Sequence, residues 1–363
     1  IRTINLNPFI SNAYTTLGNI YLSQDKLDLS KKASLKAIKI LEDNAEAHNN
    51  LAITLLKSKQ YVEGWKEYEW RWKAKSSRFN LGDKLKTDKP EWSPDQRGRV
   101  LLWPEQGLGD QLMFASLIPD FIDYVDQLII KIDPRLIPLL KRSLPQNITY
   151  VSKEDHIDEC EYDSHIAMGS LPQYLRNSFE SFQSAKRLKL KVNQQQSDSI
   201  RSKLINKRFD KIIGISWKSK KVANINQCKS LSLEDFILKL YSPNICFVSL
   251  QYGEVKEEIK QLKEKHNIDI YDLEEIDKFI DIDGLASLIN ACDEVVSMRN
   301  STVPLAGAIG IKSSILIPTN CYWWWGIKDT QSYWYPSLKL FRQQTPGEWD
   351  LPFIDIKNEI DEN

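Results

Sequence analysis

The pattern of apolar and polar positions changes character along the 363-residue chain. Near the start, YTTLGNIYL (14–22) aligns with HNNLAITLL (48–56), setting Leu17 against Leu51, Gly18 against Ala52 and Tyr21 against Leu55. An offset of 34 residues is a helix-pair period, with small residues where two helices cross closely. Ala37 and Pro8 fall where such repeats favour Ala and Pro, and Pro8 would close an earlier repeat, so N-terminal sequence is expected to be missing. Helix pairs of this kind need about three repeats to bury their faces, so the segment is expected to lean on the rest of the chain. EGWKEYEWRW (63–72), with aromatics three and four apart, is the expected docking face.

After a polar, Pro-containing link (86–99) the pattern becomes strand–helix alternation. RVLLW (99–103), QLIIKID (127–133), ITYVS (148–152) and SHIAMG (164–169) read as strands, with helices over 111–125 and 134–144. The polar stretch 186–199 is expected to cross between two domains. A second alternation comes next, with strands at 211–217, 246–252, 268–273, 294–298 and 313–318 and helices at 232–241, 254–266, 282–292 and 302–310. The fold class is therefore α/β, a pair of Rossmann-like halves behind an all-α segment, with a ligand cleft between the halves. The expected boundaries are 1–85, 86–195 and 196–345, with a C-terminal tail at 346–363 whose acidic end, DIKNEIDEN (355–363), is expected to be solvated.

Composition narrows the function classes. Net charge is zero and the pI about 7.1, which gives no sign of a nucleic-acid or anionic-membrane partner. Five scattered cysteines without a CxxC argue against a zinc site or a disulfide framework and fit a reducing cytoplasm. Four isolated histidines form no metal pattern. No apolar run approaches the ~20 residues of a membrane span. Of the 11 tryptophans, many cluster in 63–72 and in CYWWWG (321–326), which reads as core or domain contact before it reads as a ligand platform.

Four stretches carry candidate chemistry. In WPEQGLGDQLMF (103–114), Gly107 and Gly109 allow a tight backbone between strand and helix, flanked by Gln106 and Gln111. Asp110 there is either an N-cap or a general base at a strand's carboxyl end. GISWKSK (214–220) follows a strand with Ser216, Trp217, Lys218 and Lys220, a phosphate-binding loop or a solvated basic one. Just beyond, Ser232 reads as a helix N-cap. SLQYG (249–253) ends a strand with Gln251 and Tyr252, which either contact a base or ribose or are ordinary strand-end polar residues. SMRNSTVPLAGAIG (297–310) runs from a strand through Asn300, Ser301 and Thr302 into a small-residue helix, a junction suited to a diphosphate.

Taken in order, EGWKEYEWRW, EQGLGD, DPRLIPLLKRSLP, GSLPQYLR, GISWKSK, SLQYG, DGLASLINACDEVVS, NSTVPLAGAIG, WWWG, WYPSLKLFRQ and GEW resemble tetratricopeptide-repeat proteins with a C-terminal glycosyltransferase-B domain. These are similar to the heptosyltransferases of glycosyltransferase family 9 and, distantly, to O-GlcNAc transferase. The resemblance implies a transferase taking its sugar from a nucleotide-sugar, with no cofactor and no metal, to a protein or glycan acceptor presented by the repeats. It assigns Asp110 as base and Lys218 to the departing diphosphate. Ser301 and Thr302 would bind the diphosphate oxygens, and Gln251, Tyr252 and the Asp281–Gly284 region would lie near base and ribose. Relatives usually carry Asp at or beside position 299 and His at 304. Arg299 is thus either a phosphate ligand in its own right or an obstacle to normal donor binding, and Pro304 is tolerable so early in a helix. The alternative function is a catalytically impaired protein that keeps the fold and binds partners through its helices.

Overall fold

The structure is a computed structural model that describes residues 6–74, 81, 84–205, 209–219 and 231–362. From residue 11 on, helices α1 (Ser11–Ser23), α2 (Leu27–Ile40), α3 (Ala45–Lys57) and α4 (Tyr61–Tyr68) follow one another, the last running on into a 3-10 turn, Glu69–Trp72. The starts of α1 and α3, and of α2 and α4, each recur after 34 residues. Gly18 lies where α1 crosses α2, and a Cβ there would stand 2.9 Å from Ser34 Oγ. Asn44 caps α3, its side chain accepting from the Ala47 N–H at 3.1 Å. Three buried polar groups of α3 are paired to its neighbours: Thr54 with Ser30 (2.8 Å), Asn50 with the Thr15 carbonyl (3.0 Å) and Lys57 with Asp25.

His48 on α3 stacks on Trp70, with ring centroids 3.8 Å apart, and its two nitrogens meet Glu67 and the Glu42 carbonyl. Burial opposes the charged ring, but the Glu67 carboxylate and the Glu42 carbonyl outweigh it and hold its pKa above the ordinary 6.5. The contact therefore stabilises fully below pH 6.5, and that contribution is lost as pH rises through the raised value. Melting curves between about pH 6 and 9 should show this decline in the native chain, and His48→Gln should remove it. An unchanged slope in the variant would assign the decline to other groups.

The α/β part contains two parallel sheets. β1 (Arg99–Trp103), β2 (Gln127–Ile132), β3 (Thr149–Ser152) and β4 (Ser164–Ala167) are ordered β3-β2-β1-β4. β5 (Lys211–Ser216), β6 (Ile245–Ser249), β7 (Glu294–Met298), β8 (Ser313–Ile317) and β9 (Leu338–Arg342) are ordered β6-β5-β7-β8-β9. The inner strands are buried over most of their length, with Gln127 exposed and Arg99, Lys131 and Lys211 half-buried, as sheets covered on both faces require. The order reverses between β1 and β4 and between β5 and β7, and the carboxyl ends at such reversals are where open parallel sheets bind ligands.

Several elements depart from the pattern-based expectation. The helix expected over 111–125 is α5 (Leu108–Ala115) followed by a separate turn at Ile118–Phe121, because the ring of Pro119 opposes continuation past Ala115. The expected crossing at 186–199 becomes helical from Gln194: α6 (Gln194–Leu204) is capped by Asn193 and buries Ser197, Ile200 and Leu204 on one face. The stretch 268–273 makes only a single bridge, Tyr271 to Val248, since Asp272 and the Leu273 carbonyl turn away to Lys278. β9 was not anticipated. The end at 355–363 is not a solvated tail: it belongs to a helix, Asp350–Asp361, that buries Phe353, Ile356 and Ile360 against the second sheet's core.

The aromatic stretch 63–72 docks as expected, and on both halves. Trp65 donates to the Arg176 carbonyl of the first half (2.7 Å) and meets Trp323 of the second edge-on, centroids 5.0 Å apart. Lys59 pairs with Asp329 at 2.6 Å.

Candidate functional site

The carboxyl ends of β1, β5 and β7 converge on a cleft of about 410 Å³ between the halves. From the first half comes Gly107–Asp110, the start of α5. From the second comes Arg299–Ser301, leading into α8 (Thr302–Ile309), with α7 (Ile282–Ala291) beside it. The two motifs touch: a Cβ on Gly109 would lie 3.5 Å from Ser301 Cα and 3.7 Å from Pro304 Cγ. The absence of a side chain at Gly109 lets α5 and α8 approach, and so brings Asp110 to the same cleft as Asn300 and Ser301. The Tyr335 hydroxyl, donating to the Leu112 carbonyl at 3.1 Å, ties the halves behind this contact.

The structure sorts the residues singled out from sequence. Gly107, Gly109, Asp110, Tyr252, Arg299, Asn300 and Ser301 line the cleft. Asp110 is in the first turn of α5 and is not its cap, which is Gly107. Gln106 and Gln111 do not line it. The Gln106 amide donates to the Tyr68 hydroxyl (2.9 Å) and to Glu105 (3.0 Å), and the Gln111 amide donates to the Gln106 carbonyl (2.9 Å). Gln251 is buried and organises the loop after β5, its Oε1 accepting from Ser216 Oγ and from the Trp217 and Lys218 N–H groups at 2.9–3.1 Å. Ser216 also accepts from Asn300 Nδ2 at 2.6 Å, which joins the ends of β5 and β7.

Trp217 is wholly buried and donates to Glu258 at 2.9 Å. The Lys218 ammonium pairs with the same Glu258, so the structure does not bring it to the cleft. Asp281 caps α7, accepting from the Gly284 N–H at 2.8 Å, and does not line the cleft either. Ser232 caps its helix as anticipated, accepting from Asp235 N–H at 2.9 Å. Lys220 lies outside the described residues.

The junction between β7 and α8 has two unsatisfied groups. Arg299 packs its guanidinium over the Tyr322 ring, 4.8 Å from the centroid, and its Nε is sealed from solvent without a hydrogen-bond partner. Burial pushes its pKa down, only partly opposed by Tyr322 and Cys321. Thr302, singled out from sequence, is 1% exposed and does not line the cleft, and it too has an unpartnered Oγ1 at the first position of α8. Buried donors without partners are rare and costly, more so when charged. The first N–H groups of α8 are already spent, Thr302 N–H on Asn300 Oδ1 (3.0 Å) and Val303 N–H on the Asn300 carbonyl (3.2 Å), and Pro304 has none, so what is left for an anion is the Arg299 guanidinium and the hydroxyl.

Other cleft residues escaped the sequence reading. Arg135 follows β2, pairs bidentately with Asp133 (2.8 Å on both arms) and donates to the Phe279 carbonyl across the cleft at 2.7 Å. Burial of Asp133 alone would raise its pKa; Arg135 and Lys153 overcome this and lower the carboxyl to about 2. Lys278 is buried against Asp272, and Phe279 lies beside Tyr252, centroids 6.3 Å apart. In CYWWWG, Trp323 serves the docked helix while Tyr322 and Trp324 stack (4.7 Å) on the cleft wall. The clustered aromatics thus serve both core and cleft. Among the described residues no group of His, Cys, Asp and Glu is arranged to hold a metal ion, and no helix is long and apolar enough to cross a membrane.

No protein-family model matches the chain. Protein FlbA of Caulobacter vibrioides is 28% identical over 377 residues, an alignment spanning 96% of this chain and 61% of that protein. The chain thus spans about three fifths of the length of the curated relative it matches. Among solved structures, the ADP-heptose lipopolysaccharide heptosyltransferase II of Escherichia coli aligns with 73% of this chain and 100% of its own, at a TM-score of 0.53 and 13% identity. The chain has a glycosyltransferase-B-like fold. A glycosyltransferase family 9 protein from Veillonella parvula aligns with 75% of this chain and 91% of its own, with a TM-score of 0.49 and 10% identity. At 13% identity the likeness to the heptosyltransferase is one of fold alone.

Proposed function

We propose that the chain is a glycosyltransferase that moves a sugar from a nucleotide-sugar to a hydroxyl of a protein or glycan acceptor. The observation that carries this is the unpartnered Arg299 Nε, beside Asn300 and Ser301 in the cleft that Asp110 reaches from the other half. In this reading Arg299, with the Asn300 and Ser301 side chains, holds the donor's phosphates and neutralises the leaving group, the work that a metal performs in other transferases. Asp110 removes the proton of the attacking hydroxyl. Tyr252 and Phe279 offer ring faces to the base, and Tyr322 and Trp324 wall the opposite side.

We read the N-terminal helix pairs as tetratricopeptide repeats. Because α3 is enclosed, a protein acceptor would meet the outer faces of α1 and α2, where Ile20, Leu29 and Leu35 are 42–47% exposed. A cytoplasmic setting fits the unpaired buried thiols Cys246, Cys292 and Cys321.

The test is a melting panel with UDP-, GDP-, ADP- and CMP-sugars. A donor present at a hundred times its dissociation constant should stabilise the protein by about 2.7 kcal/mol. No shift with any of them would overturn the reading.

A further inference from the structure

The loop that carries Asp110 is anchored from both ends by buried polar groups, and one anchor belongs to the helical segment. Arg71, in the turn after α4, is 1% exposed and spreads its guanidinium bidentately on Glu105, with Nε to Oε1 at 2.9 Å and Nη2 to Oε2 at 2.8 Å. Nη2 also donates to Ser170 Oγ (2.7 Å), and Nη1 to the Tyr68 carbonyl and to Glu69. Glu105 directly precedes the loop, and Gln106 hydrogen-bonds both to it and to Tyr68. Room for the carboxylate comes from Gly169, where a Cβ would stand 2.1 Å from Glu105 Oε1.

At the other end, Gln111 donates to the Gln106 carbonyl and so closes residues 106–111 into one unit. Its Oε1 accepts from the Asp133 N–H at 3.0 Å, and Asp133 holds Arg135 on the cleft wall. A hydrogen-bonded chain thus runs from the helical segment, around the Asp110 loop, to a cleft cation. Buried ionic networks of this kind fix geometry more than they add stability, because desolvation offsets most of the attraction.

We infer that Arg71 and Gln111 are positioning residues that hold the Gly107–Asp110 loop, and with it the Asp110 carboxylate, in register with the donor cleft. This rests on the reading of Asp110 as the base. Arg71 makes the helical segment part of the catalytic apparatus, beyond any role in presenting the acceptor. A displacement of about 1 Å at a reacting group can cost on the order of a hundredfold in rate.

The experiment compares the intact chain with Gln111→Glu, Gly169→Ala and Arg71→Met by hydrogen exchange and by nucleotide-sugar turnover. Gln111→Glu keeps the acceptor for Asp133 and loses the donor to Gln106, so it loosens the loop without emptying the core. Gly169→Ala displaces Glu105, and Arg71→Met removes the guanidinium while keeping the side chain's length. Expected are amides of 107–111 exchanging about tenfold faster or more, with 211–219 unchanged. Nucleotide affinity should stay within about twofold while kcat falls about a hundredfold. Unaltered exchange at 107–111 in Gln111→Glu and Gly169→Ala overturns the inference. So does a parallel loss of affinity, kcat and melting temperature, which marks the residues as structural only. If the native chain binds no nucleotide and consumes no donor, the transferase reading fails instead, and loop anchoring is decided by exchange alone.

Discussion

Arg299→Met is expected to weaken nucleotide binding about thirtyfold or more while leaving the melting temperature of the ligand-free protein unchanged or higher. The reason is the same for both effects. The guanidinium is largely buried, its Nε has no acceptor among the protein's own groups, and burial disfavours its charge. Removing an uncompensated buried charge relieves desolvation, and Met retains the contact with Tyr322. With a phosphate present, the same group would gain a charge-assisted, two-armed hydrogen bond. Loss of one partner from such a buried pair costs about 2–5 kcal/mol in binding, a fall of about thirtyfold or more. Arg299→Lys should recover only part of this, because an ammonium cannot match the planar fork. Calorimetric titration with the nucleotide that shifts melting measures both variants. Retained affinity in Arg299→Met would show that Arg299 does not bind phosphate and would return that role to Lys218. For Lys218 to take it, the lysine must first leave Glu258.

The second large effect concerns Asp110→Asn. The change is isosteric and leaves the first turn of α5 intact, so neither fold nor donor affinity should move. Transfer should fall by about 10²–10⁴, the usual contribution of a positioned general base. Single-turnover measurements separate this from product release. Full activity in the variant would remove Asp110 from the reaction, whatever the cleft binds.

Some of this was readable from the chain and some was not. The alternation of apolar strands with amphipathic helices is local, so all but one of the expected strands occur with small changes at their ends. Glycines beside a strand end mark close approach, and Gly109 meets Ser301 and Pro304 as that logic requires. The 34-residue recurrence of helix starts was equally local. Glutamines were misleading, since an amide reads the same in sequence whether it faces a ligand or its own loop. Gln106, Gln111 and Gln251 all turned inward to satisfy backbone and neighbouring groups that would otherwise be buried without partners.

The sequence alone determined the two α/β halves, the helical segment before them, and the loops at the ends of β1, β5 and β7. These arise from periodicity and from the conformational needs of small residues over a few positions. Only the tertiary structure decided which charges are spent and which remain open. Lys218 is neutralised by Glu258, forty residues away; Arg135 reaches Phe279 across the cleft; Arg71 grips Glu105 from another segment; the Arg299 Nε finds no acceptor. Ion pairing depends on distances between residues far apart in the chain, and no local pattern records those distances.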